Sequence, residues 1–132
     1  METCIGQYIA KNYSRAVEVG IGRNTTAAEI VLGAGALLLA TDVKELPAGP
    51  VPVTIDDVFD PDISLYEGAD VIYAVRPAIE MIPPLVSLAR RAGSDLVVYH
   101  LGFEIYADGG EKIDCGVVLH RYVTRSEPVK EG

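Results

Sequence analysis

The chain has 132 residues, 49% of them hydrophobic and 23% charged, with a formal net charge of −8. That length suits one domain with a buried core, and the acidic balance counts against a free-standing nucleic-acid binder, which needs a basic face. Two cysteines, Cys4 and Cys115, do not make a disulfide framework and fit a reduced, cytoplasmic setting; no signal-peptide pattern is seen, and no apolar run approaches the roughly 18 residues of a membrane span.

In chain order, Ile5, Tyr8, Ile9 and Asn12 recur at helical spacing within residues 3–14, which predicts a short amphipathic helix lying on a sheet. A first strand is expected over 15–19. The run Thr26-Ala-Ala-Glu29 reads as a capping box opening a helix over 27–32 that stops at Gly33. "ALLLA" (36–40) is a continuous apolar run of the kind buried on both faces. "LPAGPVP" (46–52) holds three prolines and excludes a regular helix. A third strand is expected over 53–55, and residues 59–70 form a loop with one helical turn.

A fourth strand covers 71–75. Pro83 and Pro84 can open a helix but cannot sit inside one. Its buried stripe is Leu85, Val86, Leu88, Ala89 and Ala92, with Gly93 as the stop and Arg90 and Arg91 matched to the dipole of the last turn. A fifth strand covers 96–100. Residues 103–123 hold two β-like runs around Asp108-Gly109-Gly110, read as a hairpin. The domain is expected to span 1–125, with 126–132 a polar tail. The alternation predicts a three-layer α/β Rossmann-like domain: a mostly parallel sheet with a C-terminal antiparallel hairpin. Ligands in such sheets bind beyond the carboxyl ends of the strands, where Gly20, Gly22, Asp42, Asp56 and Arg76 fall.

The turn Gly20-Ile21-Gly22-Arg23-Asn24-Thr25 is an incomplete dinucleotide fingerprint, with Thr25 where a small residue is expected. Asp42 follows Gly20 by about 22 residues, near the spacing of a ribose-binding acid. Glu18, at the carboxyl end of the first strand, is ill-suited beside a pyrophosphate and well suited beside a cationic ligand group. The stretch resembles the first motif of class I S-adenosylmethionine (SAM) methyltransferases. The resemblance implies that Glu18 lies near the amino end of the methionine moiety, Gly20 and Gly22 give backbone access, Asp42 holds the ribose, and Asp56 or Asp57 contacts adenine. Asn24 replaces the third glycine; asparagine tolerates left-handed angles better than most residues. More widely, "VEVGIGRN" and residues 69–104, with Ile72-Tyr73 and Arg76-Pro77 and then Glu80, look like a small family of uncharacterised archaeal proteins with a minimal Rossmann-like fold. That likeness implies fold and site position, not a reaction.

Other residues have competing readings. Arg76 either clamps a carboxylate or phosphate or pairs with Glu18 or Asp42. One of Asp56 and Asp57 is expected to cap a turn. Tyr73 is expected in the core. His100 is either a general base at the crevice or a structural histidine, and His120 is out of reach in the hairpin. Cys115 and His120 lack metal-ligand spacing, so no metal site is expected. No hydrolase elbow and no P-loop is present.

The leading reading is a protein that binds SAM or another adenine nucleoside, with methyl transfer, to a substrate the sequence does not name, as a candidate reaction. A non-catalytic nucleotide-binding or regulatory module is the first alternative. An NAD(P)-binding protein is the second, opposed by Glu18 and Thr25. Few residues remain for a substrate lid, so a homo-oligomer or a protein partner would have to supply one.

Overall fold

A computed structural model describes residues 1–100 and 105–125; the expected polar tail and the start of the 103–123 segment lie outside the described residues. Seven strands form one sheet in the order β3-β2-β1-β4-β5-β7-β6. The elements are α1 (Glu2–Asn12), β1 (Ala16–Val19), α2 (Thr26–Gly33), β2 (Leu37–Asp42), β3 (Thr54–Ile55), β4 (Val71–Val75), α3 (Ile82–Ala92), β5 (Asp95–Tyr99), β6 (Glu111–Asp114) and β7 (Val118–Val123). Strands β1 to β5 run parallel; β7 is antiparallel to both β5 and β6. The chain leaves β1 toward β2 and β3, then crosses back to β4 on the other side. This reversal makes the β1/β4 junction a topological switch point, where the strand ends leave a crevice.

Strand alternation sorts side chains into two layers. Val17, Val19, Ile72, Ala74, Leu96 and Val98 pack with Leu85, Leu88 and Ala89 of α3. Ala16, Val71, Tyr73 and Val97 pack with Ile5 and Ile9 of α1 and Ala27 and Val31 of α2. Each fully buried aliphatic side chain contributes about 1.5–3 kcal/mol. Helices α1 and α2 cross closely at Gly6, where a Cβ would sit 2.9 Å from the Ala27 carbonyl oxygen. Helix α3 opens on Ile82 followed by Pro83 and Pro84, in its first turn as expected, and ends on Gly93 at φ +70°.

Three local expectations need correction. Helix α2 is capped by Thr25, whose hydroxyl donates to Glu29 Oε2 (2.7 Å); Asn24 Oδ1 takes the Thr26 amide (3.2 Å), so the Thr26–Glu29 box does not form. Strand β2 is only half-buried at Leu37, Leu38 and Leu39, because the proline-rich 46–52 loop brings no helix to cover it. The hairpin turn is Cys115-Gly116-Val117, between β6 and β7, one element later than expected. Gly110 serves clearance instead: a Cβ there would sit 2.5 Å from the Arg121 carbonyl oxygen. Among the described residues no helix is long and apolar enough to cross a membrane.

Candidate functional site

At the carboxyl end of β1, Gly20 (φ +70°) and Gly22 (φ +58°) turn the chain through left-handed angles that favour glycine. The Gly20 and Ile21 amides donate to the Thr41 carbonyl oxygen at 2.9 and 3.1 Å. One residue on, the Gly22 amide donates to Asp42 Oδ2 (2.9 Å), while Asp42 Oδ1 accepts from the Lys44 amide (3.1 Å). Asp42 thus fastens the glycine turn to the end of β2. Asn24 does not use its left-handed tolerance: Arg76 and Ala107 are the non-glycine residues of positive φ among those described.

This turn opens on a cavity of about 410 Å³, within the range of small-molecule sites. Gly20, Asp42, Asp56 and Asp57 line it with Glu80, and Val43, Val58, Phe59 and Met81 supply apolar wall. Phe59 is 60% exposed and Val43 57%, an unusual expense of apolar surface at a cavity mouth. Asp56 anchors the loop beyond β3: Oδ1 accepts from the Asp62 amide (3.0 Å) and Oδ2 from the Tyr66 hydroxyl (2.6 Å). Burial, then that bond to Asp56, pushes the Tyr66 hydroxyl far up. Asp57 is the turn-capper, accepting from the Phe59 amide (2.9 Å). A cavity of similar size, about 420 Å³, lies past the end of α3 beside Arg90, Ser94 and Arg125. It gathers none of the glycine-turn or strand-end acids, so the first cavity is the candidate.

Glu18 departs from expectation. It is not a solvated anion at the crevice but a side chain 2% exposed, paired across the sheet with Ala40 and Tyr73. The alternation of β1 turns it to the α1/α2 layer, while its neighbours Val19 and Gly20 line the cavity. Among the described residues, its Oε1 and the Tyr73 hydroxyl have no hydrogen-bond partner. Burial pushes the carboxyl up to about 8, against a smaller downward pull from the nearby Tyr73 hydroxyl. At neutral pH Glu18 is therefore mostly protonated. A buried polar atom left unpaired costs about 1–3 kcal/mol, so this position retains polarity at the expense of stability.

Arg76, one residue past β4, pairs with Glu2 of α1 and with neither Glu18 nor Asp42. Its amide donates to the Tyr99 carbonyl oxygen (2.7 Å), and its guanidinium lies 5.3 Å from the centre of the Tyr99 ring. Its φ of +52° costs a side-chain-bearing residue roughly 1–2 kcal/mol. His100 lies away from the cavity, in the seam between β5 and β7. Its Nε2 is 2.6 Å from the Tyr122 hydroxyl, and its ring meets that of His120 edge to face at 5.1 Å. His100 is not among the residues that line the cavity. His120 Nδ1 contacts the Gly109 carbonyl oxygen at 2.7 Å. Among the described residues no cluster of three or more His, Cys, Asp or Glu could hold a metal ion. The sequence reading missed Phe59, Met81, Glu2 and Tyr99, whose places depend on how loops and α1 fold over the strand ends.

Among solved structures the chain is similar to the sugar N-methyltransferase KedS8 of a Streptoalloteichus species. The TM-score is 0.55 at 12% identity, covering 86% of this chain and 56% of that enzyme. At that identity the likeness shows a methyltransferase-like fold, and this chain spans little more than half of that enzyme's length. Among curated proteins it is 42% identical over 97 residues to a UPF0146 protein of Archaeoglobus fulgidus, covering 71% of this chain and 74% of the relative. It is 31% identical over 126 residues to one from Pyrococcus horikoshii, covering 89% and 96%. The sequence pattern described as "Uncharacterised protein family (UPF0146)" matches residues 2–114. The chain belongs to the UPF0146 family of archaeal proteins.

Proposed function

We propose that the crest of the sheet binds SAM or a closely related adenine nucleoside and that the protein transfers the methyl group. One observation carries this reading: Gly20, Asp42, Asp56 and Asp57 line a single cavity at the switch point. In it, Gly20 lets the ligand approach the backbone, while Gly22 lines a separate cavity beside the 46–53 loop and contributes by anchoring Asp42. Asp42 faces the ribose; each of its oxygens accepts one amide and keeps a second lone pair for a hydroxyl. Asp56 or Asp57 faces the adenine edge, with Phe59 and Val43 against its plane. Glu18, buried on the α1/α2 side of the sheet, does not line this cavity; Glu80 is the acid on the cavity wall that can face the cationic end. SAM supplies an electrophilic methyl on sulfur. The chain's part is placing a nucleophile in line with it, which needs no general base from His100.

A thermal-shift series with SAM, its demethylated product, NAD(H), NADP(H) and ATP tests the reading. A ligand at 100 times its Kd stabilises by about 2.7 kcal/mol, so SAM and its product should raise Tm clearly above the others. No shift with either would overturn the proposal, and a larger shift with NAD(H) would favour the nicotinamide reading. The second reading, a non-catalytic nucleoside-binding module, is favoured by a cavity wall that among the described residues carries acids but no histidine, lysine or cysteine. Methylated product from a panel of amines and hydroxyl compounds decides against it.

A further inference from the structure

Arg76 and Tyr99 stand side by side at the crest of β4 and β5, and both are occupied from the first turn of α1. We infer that they form an anion subsite for the carboxylate or phosphate of a small-molecule ligand, held shut by the first turn of α1. Arg76 keeps a left-handed backbone at φ +52°, where glycine would sit without strain. Strain of this kind persists where a side chain is needed in place. The guanidinium rests against the Tyr99 ring, an arrangement that holds its planar donor fork ready for two oxygens. Among the described residues it forms an ion pair through Nη1 alone, with Glu2 Oε1.

Tyr99 carries the second half of the argument. Its hydroxyl donates to the Met1 thioether sulfur at 2.9 Å. Sulfur is a weak acceptor, and an oxyanion is a far better one. Both occupants, the Met1 sulfur and the Glu2 carboxylate, come from one turn at the start of α1, which no side chain caps. A single displacement of that turn frees two adjacent donors together. The Glu2 carboxylate is then an internal stand-in for the ligand's anion.

The position fits a substrate role. Arg76 leads through Pro77 to Ala78, Glu80 and Met81, which wall the 410 Å³ cavity. The acids Asp42, Asp56, Asp57 and Glu80 on that wall repel an anion. Arg76, beside Glu2 and Tyr99 and outside that wall, would hold it instead. The use of the subsite as a substrate clamp rests on the methyl-transfer reading; its existence does not.

The test is a titration of acetate, and separately of inorganic phosphate, into the full chain, followed by the NMR signal of the Arg76 Nε–Hε group. In Glu2→Gln that signal should move saturably, with affinity at least about tenfold above the parent, because the open state no longer competes with the latch. Tyr99→Phe in that background should weaken binding. Arg76→Gly, which suits the left-handed backbone and so keeps the fold, should abolish it when binding is read by calorimetry. Tighter acetate assigns a carboxylate ligand, and tighter phosphate a phosphate ester; either supports the subsite. Equal, weak binding in Glu2→Gln and the parent would overturn it, as would binding that survives Arg76→Gly. No nucleoside is present, so failure here and failure of the cofactor reading are separate results.

Discussion

At the residue scale, Glu18 sets the strongest expectation. In the folded chain it gives up its proton near pH 8, against an ordinary value of 4.5. Between those values the folded state binds more protons than the unfolded one, so stability is full below pH 4.5 and falls as pH rises through 8. Glu18→Gln keeps the shape and removes the titration. Its Tm should match the parent near pH 5 and exceed it by roughly 5–10 °C at pH 9. Parallel Tm curves for the two proteins would show that burial does not hold the proton. The sequence placed Glu18 at the end of β1 on its polar phase, but α1 and α2 decide that this phase is buried, and periodicity along β1 carries no record of them. Arg76 was legible as a crest cation. Its left-handed backbone and its Glu2 partner were not, since no local pattern marks either.

At the scale of elements, the crossing of α1 on α2 depends on one missing methyl. Gly6→Ala would drive a Cβ to 2.9 Å from the Ala27 carbonyl oxygen, and backbone cannot swing aside as a side chain can. Overpacking of this sort costs about 1–3 kcal/mol, and chemical denaturation should show it as a lower midpoint at unchanged slope. An unchanged midpoint would mean that the two helices slide freely. Strand β4 and helix α3 were readable because each is closed by its own chemistry: apolar residues ending at Arg76, and a proline pair with Gly93. The hairpin was misplaced because Gly109 and Gly110 look like a turn, while Gly110 is needed to pass the Arg121 backbone. Burial of β2 was overread because an apolar run says nothing of whether a helix covers it.

Across the whole molecule, strand order joins residues far apart in sequence. Gly20, Asp42, Asp56 and Glu80 stand at or just beyond the ends of four different strands and meet because β1, β2, β3 and β4 all end at one crest. That convergence followed from the alternation of elements, so Gly20, Asp42, Asp56 and Asp57 were legible as neighbours at the strand ends. The apolar wall of Phe59 and Met81 was not. Asp42→Asn keeps an acceptor for the Gly22 amide but sets its NH2 against the Lys44 amide, so it should lower stability by about 1 kcal/mol and weaken nucleoside binding by about 1–2 kcal/mol through loss of a charge-assisted bond. Equal SAM affinity in Asp42→Asn and the parent, measured by calorimetry, would remove Asp42 from the site.

The most direct measurement is a titration of SAM into the chain at pH 7, followed by its backbone amide NMR signals. The account predicts saturable shifts at Gly20, Asp42, Asp57 and Met81, which line the cavity, and none at Ser94 or Arg125 of the second cavity. Absence of saturable shifts, or shifts confined to the second cavity, would contradict it.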